Sequence, residues 1–206
     1  ITAPAEGHHR HKKQTGGAGQ FGEVYLRVAP LPPGTGFEFT SEVVGGAIPT
    51  QYIPAVETGV KQAMESGSAY GYPMQDVKVT VYDGKHHSVD SKEIAFVQAG
   101  KKAFLDAVEK ARPIVMEPIV DVTFTIPTDC AGGVTGDLSS MRGMVTGTEI
   151  LPDNRMVVTG RAPLKEIQGY HSRLKSLTGG DGSFTMDFSH YAEVPREALD
   201  QVASQN

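Results

Sequence analysis

The sequence predicts an α+β protein built as two units in series. Three observations carry this. Short runs alternate apolar and polar residues, as half-buried strands do. Between them lie segments with apolar residues at helical spacing. The second half also runs strand, helix, strand, strand, helix, strand, which is the ferredoxin-like order.

Residues 22–29 and 36–44 read as two strands joined by the turn Leu31-Pro32-Pro33-Gly34-Thr35-Gly36. Residues 50–66 read as a helix, with Tyr52, Ile53, Val56, Val60 and Met64 along one face. Val77, Val79 and Val81 alternate with Lys78 and Thr80 as a strand, and residues 83–88 form a turn. Ser91 is the expected N-cap of a helix running to Ala111 through Phe96, Ala99, Ala103, Ala107 and Val108. Pro113 and Pro118 bracket the expected domain boundary, giving units 1–117 and 118–206. Val120, Val122, Phe124 and Ile126 alternate as the next strand. Residues 128–141 read as a helix whose Gly132, Gly133 and Gly136 permit close packing at a cost in helix stability. Residues 143–151 and 155–162 form a hairpin around Pro152-Asp153-Asn154. One helix then carries Leu164, Ile167, Tyr170, Leu174 and Leu177, and Phe184, Met186 and Phe188 mark a last strand.

Composition excludes several functions. The 206 residues are 39% hydrophobic, enough for packed cores, with no apolar run of membrane-spanning length. No signal-peptide pattern opens the chain, and its start at Ile1 suggests a piece of a longer protein. Cys130 is the single cysteine, so neither an internal disulfide nor a cysteine zinc cluster is expected, in keeping with a cytoplasmic location. Net charge is −5. Residues 1–117 carry 12 cationic and 13 anionic side chains and residues 118–206 carry 7 and 11. Any RNA binding must therefore come from local patches and not from the overall field.

One such patch stands out. Arg10, Lys12 and Lys13 lie in a basic, histidine-rich run before Gly16-Gly17-Ala18-Gly19-Gln20-Phe21-Gly22. Gly17, Gly19 and Gly22 match G-x-G-x-x-G, but a nucleotide loop needs more than glycines. A kinase needs a lysine on a following strand, and none occurs between Lys13 and Lys61. A dinucleotide fold needs a strand before the loop and a helix after it, whereas a strand follows here. The Walker pattern is absent. An exposed hairpin tip remains, either a plain turn or a bare backbone that approaches a polyanion. Phe21 is expected to anchor this loop in the core. His86 and His87 sit in the second predicted turn, where a histidine can hydrogen-bond or stack on RNA. No acid or thiol completes a metal site beside His8, His9 and His11, so no metal and no catalytic residue is expected.

Together these segments resemble a known family. Gln14 through Gly22, Gly34-Thr35-Gly36-Phe37-Glu38-Phe39, Val44 through Pro49, Tyr52 through Glu57, Asp83 through Ser91, Leu105 through Pro118, Gly136 through Ser140 and Gly182-Ser183-Phe184 occur in one order. They resemble the C-terminal part of bacterial elongation factor G, across nearly the whole chain. The resemblance implies a ribosomal-protein-like α/β domain IV followed by a ferredoxin-like domain V. It implies a translocase fragment that binds the ribosome at the small-subunit decoding region and the large-subunit factor-binding region. Gly16, Gly17, Ala18, Gly19, Gln20, His86 and His87 would form a tip against the tRNA–mRNA duplex. GTP and Mg would belong to an upstream GTPase domain, with no cofactor in this chain and a monomer expected. Four positions depart from the family's usual pattern. Ala18, Met141 and Asp181 stand where a basic residue is common, and His86 replaces a tyrosine. These suggest a divergent paralogue, with a ribosome rescue or protection factor as the alternative.

Overall fold

The computed structural model describes residues 1–68 and 70–203. The chain separates into two compact units, Ile1–Val115 and Met116–Asn206, each with its own buried cluster. The architecture is α+β, with one four-stranded sheet in each unit.

The first unit contains β1 (Ala5–Lys13), β2 (Gln20–Pro30), β3 (Phe37–Ser41), α1 (Ile53–Ser66), β4 (Val77–Lys85) and α2 (Glu93–Lys110). The sheet order is β1-β2-β4-β3. β2 pairs antiparallel with β1 and β4, while β3 runs parallel to β4, as its crossover through α1 requires. Val24, Leu26 and Val28 of β2 and Val77, Val79 and Val81 of β4 are buried. They pack with Val56 and Val60 of α1 and Phe96, Phe104 and Val108 of α2. Two glycines let the helices meet. A Cβ on Gly59 would lie 2.1 Å from the Val97 carbonyl oxygen, and one on Gly100 would lie 2.8 Å from that of Val56.

Several expectations are corrected here. The basic run is itself a strand: residues 8–13 belong to β1. Its alternation went unseen because Gly7, His9 and His11, which share one face, are not apolar. A Cβ on Gly7 would meet the Ala103 carbonyl at 2.0 Å, so this face presses directly on α2. The predicted strand 36–44 ends at Ser41, and β4 runs on to Lys85, past the start of the predicted turn. Ser91 is not the N-cap. Lys92 holds that position with no side-chain cap bond. The Ser91 hydroxyl instead donates to the Phe21 carbonyl at 3.0 Å and accepts from the His87 amide at 2.7 Å.

The second unit contains β5 (Met116–Pro127), α3 (Ala131–Ser140), β6 (Met144–Leu151), β7 (Arg155–Pro163), α4 (Leu164–Ile167), α5 (His171–Thr178), β8 (Ser183–Glu193) and α6 (Arg196–Ala203). Its sheet order, β6-β7-β5-β8, with every ladder antiparallel, is the ferredoxin-like arrangement. Val120, Val122, Phe124 and Ile126 of β5 pack against Val134, Leu138 and Leu174. The predicted single helix after β7 is broken into α4 and α5, and Gly169 at φ 83° turns the chain between them. Close packing at a helical glycine occurs at Gly133, where a Cβ would lie 2.9 Å from the Leu177 side chain. Gly132 and Gly136 face open space. Pro118 lies inside β5, which already begins at Met116.

Two polar clusters tie this unit together. The Arg142 guanidinium donates to both Glu117 oxygens at 2.7 and 3.0 Å and to Glu166 at 3.2 Å. Tyr170 and Arg173 both donate to Asp137, at 2.7 and 3.0 Å. Burial opposes the Asp137 charge, but these donors hold its carboxyl below the usual range. Burial first, then Asp137, pushes the Tyr170 phenol up.

Candidate nucleic-acid interface

Pairing geometry places two loops at one end of the first sheet. Lys13 pairs with Gln20, so residues 14–19 close the β1–β2 hairpin. Glu23 pairs with Lys85 on the other flank of β2, so residues 86–91 leave from the same end. The loops then join directly. The Phe21 amide donates to the Asp90 carbonyl at 2.9 Å, and Phe21 and Ser91 form a parallel bridge. Gly19 is buried against the second loop, where a Cβ would lie 2.9 Å from the Asp90 carboxyl carbon.

Gly16, Gly17 and Ala18 form the exposed apex, with Gly16 at φ 53°. Ala18 puts a methyl group there and no charge. Gln20 is half-buried, its carbonyl oxygen 2.9 Å from His11 Nε2. The His87 ring is fixed by its own loop. The backbone amides of Val89 and Asp90 both lie 3.3 Å from Nδ1. An amide can only donate, so Nδ1 accepts and the proton sits on Nε2. His87 therefore offers an N–H donor to whatever it meets.

A third segment, not foreseen in this role, completes the tip. His86 Nδ1 lies 3.3 Å from the Ala47 carbonyl. Ile48 fills the space beside Gly84. The loop Val44-Gly45-Gly46-Ala47 thus sits beside the histidine turn, with Val44 exposed and both glycines at positive φ. The adjacent glycines were the signal for it in the sequence.

The supporting cations do not act alike. His8, Arg10 and Lys12 share the sheet face opposite α2, because they alternate with Gly7, His9 and His11. Arg10 lies over the Phe21 ring, 5.2 Å from its centroid. Lys13 is exposed at the strand end. Phe21 is corrected: it lies outside the buried cluster, on the open face, while its neighbour Gly22 packs on Ala95 and Phe96. Further along that face His8 stacks on Tyr25 at 4.2 Å and bonds Glu23 at 2.6 Å. On the opposite face His9 is held below the ordinary imidazole range, by burial first and then by Lys102.

The glycine motif makes no phosphate cradle. It spans a hairpin between antiparallel strands with no helix opening on it. Gly19 faces the Asp90 carboxylate and Gly22 faces the core. Among the described residues no cluster of histidine, cysteine and carboxylate side chains fits a metal, and no helix is long and apolar enough to cross a membrane. A larger hollow, about 680 Å³ in the second unit, is bordered by Asp129, Asp153 and Asp181. Three carboxylates against one Arg155 make it a poor seat for a polyanion. Met141 packs on the second core, and Asp181 is exposed at this hollow. Cys130 is half-buried, its thiol pushed up by burial and then by Asp129, which suits packing and not nucleophilic attack.

Comparison with known proteins matches this chain to a family. The family model for elongation factor G, domain IV, matches residues 1–112. That for the elongation factor G C-terminus matches residues 114–202. The chain is 48% identical over 202 residues to elongation factor G of Aquifex pyrophilus, covering 98% of this chain and 29% of that protein. A crystal structure of a Thermus thermophilus protein superposes with a TM-score of 0.81 at 38% identity, covering 100% of this chain and 30% of that one. The chain thus spans under a third of the length of these relatives.

Proposed function

Since the chain belongs to the elongation factor G family, corresponding to the C-terminal part of its members, we propose that it serves a ribosome-bound translocase through the tip of its first unit. The observation that carries this is the joining of residues 14–19 and 86–91 into one projection at the end of a rigid sheet. The apex offers bare backbone at Gly16 and Gly17 and a fixed N–H donor at His87. Such a surface recognises paired RNA by shape and by donors to sugar and phosphate, without reading sequence.

Seated beside a tRNA–mRNA duplex in the small-subunit decoding region, the tip hinders backward slippage. The second unit contacts the large subunit's factor-binding region. GTP and Mg belong to the part of the parent protein outside this chain, and no catalytic step is assigned here. The test places His87→Ala, or a shortened Gly16–Gln20 loop, in the full-length factor and measures single-round translocation. A slowing of about tenfold, the loss of roughly 1.4 kcal/mol, is expected. An unchanged rate overturns the assignment.

The uncharged apex at Ala18 favours a second reading, a rescue or protection factor of the same family. Growth of translocase-depleted cells on the full-length protein decides for the first.

A further inference from the structure

A small pocket of about 120 Å³ opens where the tip meets the exposed sheet face. It is lined by Arg10, Lys12, Gln14, Phe21, His87 and Asp90, together with Gln20. Its chemistry is graded. Arg10 and Lys12 stand on the β1 side, and among the described residues neither forms an ion pair. Phe21 supplies a half-buried ring flanked by the Arg10 guanidinium and, 6.2 Å away and tilted, by the His87 ring. Asp90 supplies a carboxylate on the loop side, 3.6 Å from His87 Nδ1. That nitrogen already accepts the Val89 and Asp90 amides, so the carboxylate keeps acceptor capacity for a ligand.

From this arrangement we infer that the pocket seats one unpaired RNA nucleotide, and that it prefers cytidine to uridine. The inference rests on the proposed RNA-facing tip and adds a single-nucleotide subsite to it. The phosphate lies against Arg10 and Lys12, where the exposed cations are. The base lies against the part of the Phe21 ring that Arg10 does not cover, toward His87, because every base has a face that stacks on an aromatic ring. The amino group of cytosine donates to Asp90, whereas uracil places a carbonyl oxygen there and meets the carboxylate's repulsion. A paired base cannot enter, because its Watson–Crick edge and both faces are occupied in the duplex.

The test uses the 206-residue chain with three labelled RNAs: a cytidine hexamer, a uridine hexamer and a blunt two-strand duplex with no unpaired residue. Affinity is read by fluorescence anisotropy, and ring environments of Phe21 and His87 by NMR. Cytidine hexamer is expected to bind several-fold tighter than uridine hexamer and to shift both rings. Asp90→Asn should erase that difference from both sides, weakening cytidine binding and, with the carboxylate's repulsion gone, strengthening uridine binding. Arg10→Ala, on an exposed strand position, should lower the slope of log affinity against log salt by about 0.7, the value of one single-strand phosphate contact. Equal binding of the two hexamers, or ring shifts with the duplex only, overturns the subsite. Neither result touches the His87→Ala translocation experiment, so a failed pocket and a failed tip are told apart.

Discussion

Gly19 and Gly17 differ by two positions and by everything around them. Gly17 faces open space beyond a 3.8 Å contact with its own loop, but Gly19 is wedged against Asp90. Gly19→Ala should push the two tip loops apart and cost about 1 kcal/mol, while Gly17→Ala stays near neutral. Paired thermal melts check this. His9 gives a pH dependence. Its folded-state affinity for a proton is lowered by burial, Lys102, His11 and His8, against a smaller opposing pull from Asp106. The unfolded chain therefore binds the proton more readily. The stability from the neutral ring is full above an unfolded pKa of about 6.5 and is lost as pH falls through the lower folded value. His9→Gln should flatten the fall in melting temperature between about pH 7 and 5. The carboxylates held low, Asp106 and Asp137, contribute only to the decline below about pH 4. At this scale the sequence placed Gly16, Gly17 and Ala18, and His86 and His87, in turns but misjudged Phe21 and Ser91. Both sit where a strand meets a loop: the Ser91 hydroxyl answers to the Phe21 carbonyl, 70 residues away, and the Phe21 ring to Arg10 and His87 on neighbouring segments.

At the scale of elements, the helix pair of the first unit depends on the absence of side chains at its crossing. Gly59→Ala would drive a methyl group into the Val97 carbonyl of α2. The helices must separate, at about 3 kcal/mol, measurable by urea denaturation. In the second unit Arg142 ties the start of β5 to α4 through Glu117 and Glu166. Arg142→Ala leaves the nearly buried Glu117 carboxylate without its partner. It should cost about 2 kcal/mol, below the full buried-pair value because Arg142 is partly exposed. Replacing Glu117 with glutamine in the same protein should recover part of the loss. The strands with apolar alternation and both long helices were legible in the sequence. β1 was not, because its inward face is built from glycine and histidine and its pairing is supplied by β2. The break between α4 and α5 was equally hidden, since apolar spacing continued through Gly169 while its backbone turned away.

For the whole molecule, two cores with separate residues imply two independently cooperative units. Pieces 1–115 and 116–206, made separately, are each expected to unfold in a single transition by circular dichroism. A piece that shows no transition would mean that its core is incomplete alone. The sequence by itself determined the α+β class, the ferredoxin-like order of the second unit and the family, because these follow from short-range periodicity and from residue identity along the chain. Only the tertiary structure decided which surfaces meet. It brought residues 14–19, 44–47 and 86–91 to one end of a sheet and fixed the His87 proton on Nε2. It also turned Phe21 outward beneath Arg10. Those outcomes depend on strand register and loop-to-loop hydrogen bonds between segments far apart in sequence, and periodicity carries no information about such partners.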